Sequence, residues 1–129
     1  MKVAVYPGSF NPWHAGHANV LEQALQIFDK VYVMQGLNPL KETPQEIVIA
    51  TDQRVVVRQY SGLLADNIPN DTTAIIKGLR NSTDFEYEKI QQYWNEDLGI
   101  SIPTVYIISD RKLVHISSSA IKMVEKFKV

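Results

Sequence analysis

Short apolar runs separated by helix-period segments limit most strongly what this chain can fold into. Val3–Tyr6, Val31–Met34, Val55–Tyr60, Thr72–Gly78 and Pro103–Ser109 each read as a strand, rich in β-branched or aromatic residues. Between the first two, Ala18, Leu21, Ala24, Leu25 and Phe28 recur at helical spacing, predicting a helix from Gly16 that closes near Asp29-Lys30. The run DFEYEKIQQYWNEDL predicts another, with Phe85, Ile90, Tyr93, Trp94 and Leu98 on one side. Phe85 and Ile90 are expected in the core, and Trp94 either there or at an oligomer contact. Weaker patterns suggest a short helix over Pro44–Asp52, one or two helical turns over 62–67, and a last helix starting at Ser117–Ser119 with Ile121, Val124 and Phe127 on its apolar side.

Strands alternating with helices imply right-handed βαβ units and a parallel sheet. The expected fold is therefore α/β: a doubly wound, Rossmann-like, five-stranded parallel sheet in a single domain spanning residues 1–129. In such sheets ligands bind beyond the carboxyl ends of the strands, at the point where strand order reverses. Three groups of polar residues fall just after strands or at a helix start: Gly8–His17, Lys77–Arg80 and Ser117–Ser119.

Composition removes several function classes. The 13 Lys and Arg against 14 Asp and Glu leave no basic excess for a nucleic-acid backbone. With no cysteine there is no disulfide framework, thiolate metal site or thiol nucleophile, which fits a reducing cytoplasm. The N-terminal stretch MKVAVYPGSF breaks at Pro7-Gly8 before a signal-peptide core could form, and no run approaches the length of a membrane span. A cytoplasmic protein without nucleic-acid or membrane partners is expected.

The stretch GSFNPWHAGH, residues 8–17, carries the densest chemistry. Gly8 permits a tight turn and a close backbone approach, and Ser9 adds a hydroxyl. His14 and His17 fall on neighbouring positions of a helix's first turn. That helix end offers free N–H groups and roughly half a positive charge, which suit phosphate. The same histidines could equally be capping or surface residues. No further ligands cluster near them, so no metal site is read here. Lys77 and Arg80 can reach the sheet crevice as phosphate donors, and Ser117, Ser118 and Ser119 are candidate N-caps.

These motifs carry a resemblance. GSFNPWHAGH is similar to the (H/T)xGH signature of nucleotidyltransferases that transfer a nucleoside monophosphate and release pyrophosphate. IIKGLRNSTDFEYE (75–88) resembles the (R/K)GLR…DFEYE block of the phosphopantetheine adenylyltransferase family, and HISSSAIK (115–122) its ISSS element. The loop LNPLKE is similar to that family's SPSKK loop, which puts Lys41 at a phosphate-steering position. The resemblance implies adenylyl transfer from ATP to 4′-phosphopantetheine by direct in-line attack, with Mg²⁺ as cofactor. It implies His17, Lys41 and Ser9 as catalytic residues. For ATP it implies Ser9, Phe10, His14, His17, Lys77, Gly78, Arg80, Glu88, Ser117, Ser118 and Ser119, and for the acceptor Ser9, Lys41 and Lys77. A homo-oligomer, a hexamer in that family, is the expected assembly. The segment after Lys41 and the C-terminus are shorter than the family pattern. Asn11 and His14 resemble instead nicotinamide-nucleotide adenylyltransferases. A sister adenylyl- or cytidylyltransferase and a non-catalytic ATP-binding relative stay open as alternatives.

Overall fold

The computed structural model describes residues 1–37, 47, 49, 52–80 and 82–109. They form the strands β1 (Val3–Gly8), β2 (Lys30–Gly36), β3 (Val55–Tyr60), β4 (Ala74–Leu79) and β5 (Thr104–Ile108), with helices α1 (Ala15–Ala24) and α2 (Ser82–Asp97). All neighbouring strands run parallel in the order β3-β2-β1-β4-β5. The chain winds outward from β1 in one direction, then crosses back to β4 and continues in the other. The order therefore reverses between β1 and β4, where the α/β pattern locates a ligand crevice.

Alternation along β1 builds two cores. Ala4 and Tyr6 point to the α1 side with Val31, Val33, Ala74 and Ile76, joined by Val20, Leu21, Ala24 and Phe28. Val3 and Val5 point to the other face with Tyr32 and Met34. Helix α1 lies close over β4 because Gly78 has no side chain: a Cβ there would sit 2.9 Å from Val20 Cγ2. Among the described residues no helix is long and apolar enough to cross a membrane.

The structure shifts several predicted bounds. Helix α1 ends at Ala24, short of Asp29-Lys30. Ile27 and Phe28 both donate to the Ala24 carbonyl, a tightened turn that still delivers Phe28 to the core. Strand β2 runs on from Met34 through Gln35 to Gly36. Strand β4 starts at Ala74 because the Thr73 hydroxyl takes up the backbone of Val3, accepting from its N–H and donating to its carbonyl. The turn expected within 62–67 is a single 3₁₀ turn at Leu64–Asp66. Phe85 and Ile90 are not core: they are 40% and 57% exposed, and Trp94 is 62% exposed. The helix over Pro44–Asp52 and the last helix fall on residues outside those described, 47, 49 and 52 excepted.

Candidate active site

Three backbone features hold the loop from β1 to α1. Gly8 leaves room for the Phe10 ring, which lies 2.8 Å from where a Cβ would stand. Phe10 itself adopts a left-handed backbone, φ 46°, unusual for a bulky residue and costing about 1–3 kcal/mol. Its ring offsets that cost by burial. It is 3% exposed and meets Tyr6, Trp13 and His17 edge-on, at centroid distances of 5.0, 5.0 and 4.9 Å. Burial pushes the Tyr6 phenol well up from its ordinary value, so it stays protonated beneath the loop. Ser9 is exposed at the tip, and its carbonyl accepts from Gln35 Nε2 at 3.1 Å.

Both histidines then close the first turn of α1. His14 is the N-cap: its Nδ1 accepts the Gly16 N–H at 3.0 Å, while His17 Nδ1 accepts the His14 N–H at 3.1 Å. The two rings stack with centroids 3.7 Å apart. Gly16 allows this, since a Cβ there would lie 2.9 Å from His14 Cε1. With each Nδ1 accepting, the ring proton sits on Nε2, which remains as the donor of each imidazole. Burial lowers both pKa values. The neighbouring Arg80 charge adds to this at His14; at His17 the other imidazole and Arg80 together bring it down to about 3. The pair is a neutral double donor at physiological pH. Capping and phosphate binding are thus not rival roles for these residues, because they use different ring nitrogens.

The carboxyl end of β4 supplies the facing wall. Gly78 admits α1, and Arg80 follows the strand closely enough for its charge to act on both imidazoles. Lys77 is not a free surface cation: its Nζ lies 3.4 Å from Glu88 Oε2 on α2, with both side chains largely buried. The contact is an ion pair without hydrogen-bond geometry, and Glu88 Oε2 is a buried oxygen lacking a hydrogen-bond partner among the described residues. Burial first and the Glu88 charge second push the Tyr106 phenol up from its usual value.

Of the predicted residues, Ser9, Phe10, His14, His17, Lys77, Gly78, Arg80 and Glu88 sit around the β1/β4 reversal or on the helix that follows it. The Phe10 ring is buried, so only its backbone faces the loop surface. Lys41 and Ser117–Ser119 lie outside the described residues. Gln35 and Trp13 were not legible as site residues. The one signal for Gln35 is a carboxamide continuing the apolar run VYVM, and for Trp13 its place one residue before the histidine pair. Among the described residues no cluster of three or more His, Cys, Asp or Glu could hold a metal ion.

A parallel sheet, a glycine turn and a histidine-capped helix meet at the strand reversal, and the cytidylyltransferase-like family model matches residues 5–59 of this chain. The match to individual proteins is more specific. The chain is 37% identical to the phosphopantetheine adenylyltransferase of Clostridium beijerinckii, over 98% of its own length and 86% of that protein. It is 39% identical to the one from Clostridium perfringens, over 98% and 84%. With the one from Mycoplasma capricolum it shares 35% identity over 99% of both chains. The chain belongs to the phosphopantetheine adenylyltransferase family and is an enzyme of nucleotidyl transfer.

Proposed function

We propose that the chain transfers the adenylyl group of ATP to 4′-phosphopantetheine, giving dephospho-coenzyme A and pyrophosphate. The observation that carries this reading is the stacked His14–His17 pair, whose Nδ1 atoms are committed to the helix start and whose Nε2–H groups are left to donate. A phosphate oxygen of the acceptor attacks the α-phosphorus of ATP. The new P–O bond forms as the bond to the β-phosphate oxygen breaks, and pyrophosphate leaves. The acceptor phosphate is already a competent nucleophile, so catalysis is positioning and charge stabilisation. His17 donates to the α-phosphate as charge builds there, and His14 with the N–H groups of α1 supports the triphosphate. Arg80 and the hydroxyls of Ser117–Ser119 hold the departing pyrophosphate. Ser9, Lys41 and Lys77 orient the acceptor, with Lys77 exchanging the Glu88 carboxylate for phosphate.

Mg²⁺ would enter with the substrate as MgATP and would supply charge neutralisation on its phosphates. A cytoplasmic setting goes with this chemistry, and a second copy of the chain is the expected occupant of the exposed α2 face.

The test is pyrophosphate release from MgATP with 4′-phosphopantetheine and nicotinamide mononucleotide as parallel acceptors. Release with phosphopantetheine alone is expected. Release with nicotinamide mononucleotide instead would transfer the reading to a sister enzyme, and binding of ATP without release under either acceptor would defeat the turnover claim.

A further inference from the structure

Strand β2 carries a polar residue where its pattern calls for an apolar one. Val31–Met34 are buried, and the next residue, Gln35, is 1% exposed. A carboxamide left unpaired in such a place is strongly disfavoured, so its bonds indicate what keeps it there. Its Nε2 donates to the Ser9 carbonyl at 3.1 Å, and its Oε1 accepts from Gln59 Nε2 at 3.1 Å. These residues share one row across the carboxyl edge of the sheet, Gly8 pairing with Gln35 and Gln35 with Gln59. Gln59 is the exposed end of that row. At the other end Gly8 has no side chain, and the Phe10 ring fills the space. The row thus holds the loop at the carbonyl immediately before its left-handed residue.

We propose that Gln35 is a positioning residue for the phosphate-binding loop: with its carboxamide oriented by Gln59, it holds the Ser9 carbonyl, fixes the Phe10 turn and, through the Phe10 ring, sets the imidazole of His17. The inference rests on the nucleotidyl-transfer reading above. The chain of contact is continuous. Gln59 donates to Oε1, which leaves the amide end of Gln35 to face Ser9. The Ser9 carbonyl belongs to the peptide that leads into Phe10, and the Phe10 ring meets His17 at 4.9 Å with planes 85° apart. An apolar residue at position 35 would fill the same volume and leave the Ser9 carbonyl without this donor.

The test compares the full chain with Gln35→Met, Gln59→Met and the double variant. Readouts are steady-state pyrophosphate release, thermal melting and the ¹⁵N imidazole resonances. In folded Gln35→Met, kcat is expected to fall about 10- to 100-fold, the range small misplacements produce, with KM for MgATP little changed. The His17 resonance should shift or broaden in the same variant. Gln59→Met should lower kcat less, and should add nothing in the Gln35→Met background, as expected of two residues acting as one device. Unchanged kcat and an unchanged His17 resonance in folded Gln35→Met overturn the proposal, as does a strictly additive Gln59 effect. If Gln35→Met does not fold, the exposed Gln59→Met decides on the same two readouts. If the unaltered chain releases no pyrophosphate, it is the transfer reading that fails, and the His17 resonance still tests the positioning.

Discussion

Helices α1 and α2 flank the same strand reversal and treat it in opposite ways. Helix α1 buries Gly16, Val20, Leu21 and Ala24 against the sheet, and two histidine side chains cap its first turn. Helix α2 is anchored partway along by Glu88 to Lys77, yet leaves Ile90, Tyr93 and Trp94 more than half exposed. Both segments show helical spacing of apolar residues. Periodicity reports that a helix has an apolar side, and not that the surface covering it belongs to the same chain. The α1 end is therefore held by packing and caps within its own chain, whereas the outer face of α2 is left exposed.

The sharpest way to break this comparison is at His17. His17→Ala removes a donor from the scaffold and a ring packed on Phe10, while leaving the strand residues of both cores in place. It is expected to lower kcat by about 10²–10³, the usual loss for one donor to a developing anion, with the fold retained by circular dichroism. Near-normal turnover in that folded variant would mean that the capped histidine pair is structure alone.

Gly78→Ala probes the scaffold itself. Its new methyl meets Val20 at 2.9 Å and the Tyr6 hydroxyl at 3.6 Å, so α1 must lift or Val20 must turn. A loss of about 1–3 kcal/mol in urea unfolding is expected, together with reduced activity as the helix start moves. An alanine added to the exposed side of α2 should show neither effect.

A pH series separates the two regions more gently. Both imidazoles are held below their ordinary value, His17 at about 3. Above about pH 6.5 neither folded nor unfolded chain protonates them, and their contribution to stability is level. As pH falls through that value the unfolded chain takes up protons the folded chain refuses, so stability drops progressively toward pH 3. His17→Gln should flatten this slope in urea unfolding at pH 5 against pH 7.5. An unaltered slope would place the protonating groups elsewhere.

The smallest effect on folding belongs to α2. Trp94→Ser, at a residue 62% exposed, should change stability by no more than about 0.5 kcal/mol while reducing self-association in sedimentation velocity. A large loss of stability in a chain that is monomeric throughout would show that Trp94 packs within its own protomer.

Much of this molecule is legible from neighbouring residues. The strands announce themselves as β-branched runs, and the turn into α1 as glycine, serine and two histidines three apart at a helix start. Legibility fails where the outcome depends on a residue distant in the chain. Helix α1 stops at Ala24, because the turn that follows brings Phe28 inward and ties Asp29 to Lys2. Phe85 and Ile90 have the spacing of core residues, and the sheet leaves them outside.

The sequence by itself determined the order of strands and helices, the place of the glycine turn and the chemistry available at the helix start. These follow from local propensity and from the two side-chain periods. Only the tertiary structure decided which partner each polar atom meets. The order β3-β2-β1-β4-β5 brings Gln35 under Ser9, 26 residues away, and sets Lys77 of β4 against Glu88 of α2. It also half-buries both imidazoles beside Arg80, which keeps them neutral. Those pairings arise from strand order and desolvation, properties of the assembled sheet that no short window of residues contains.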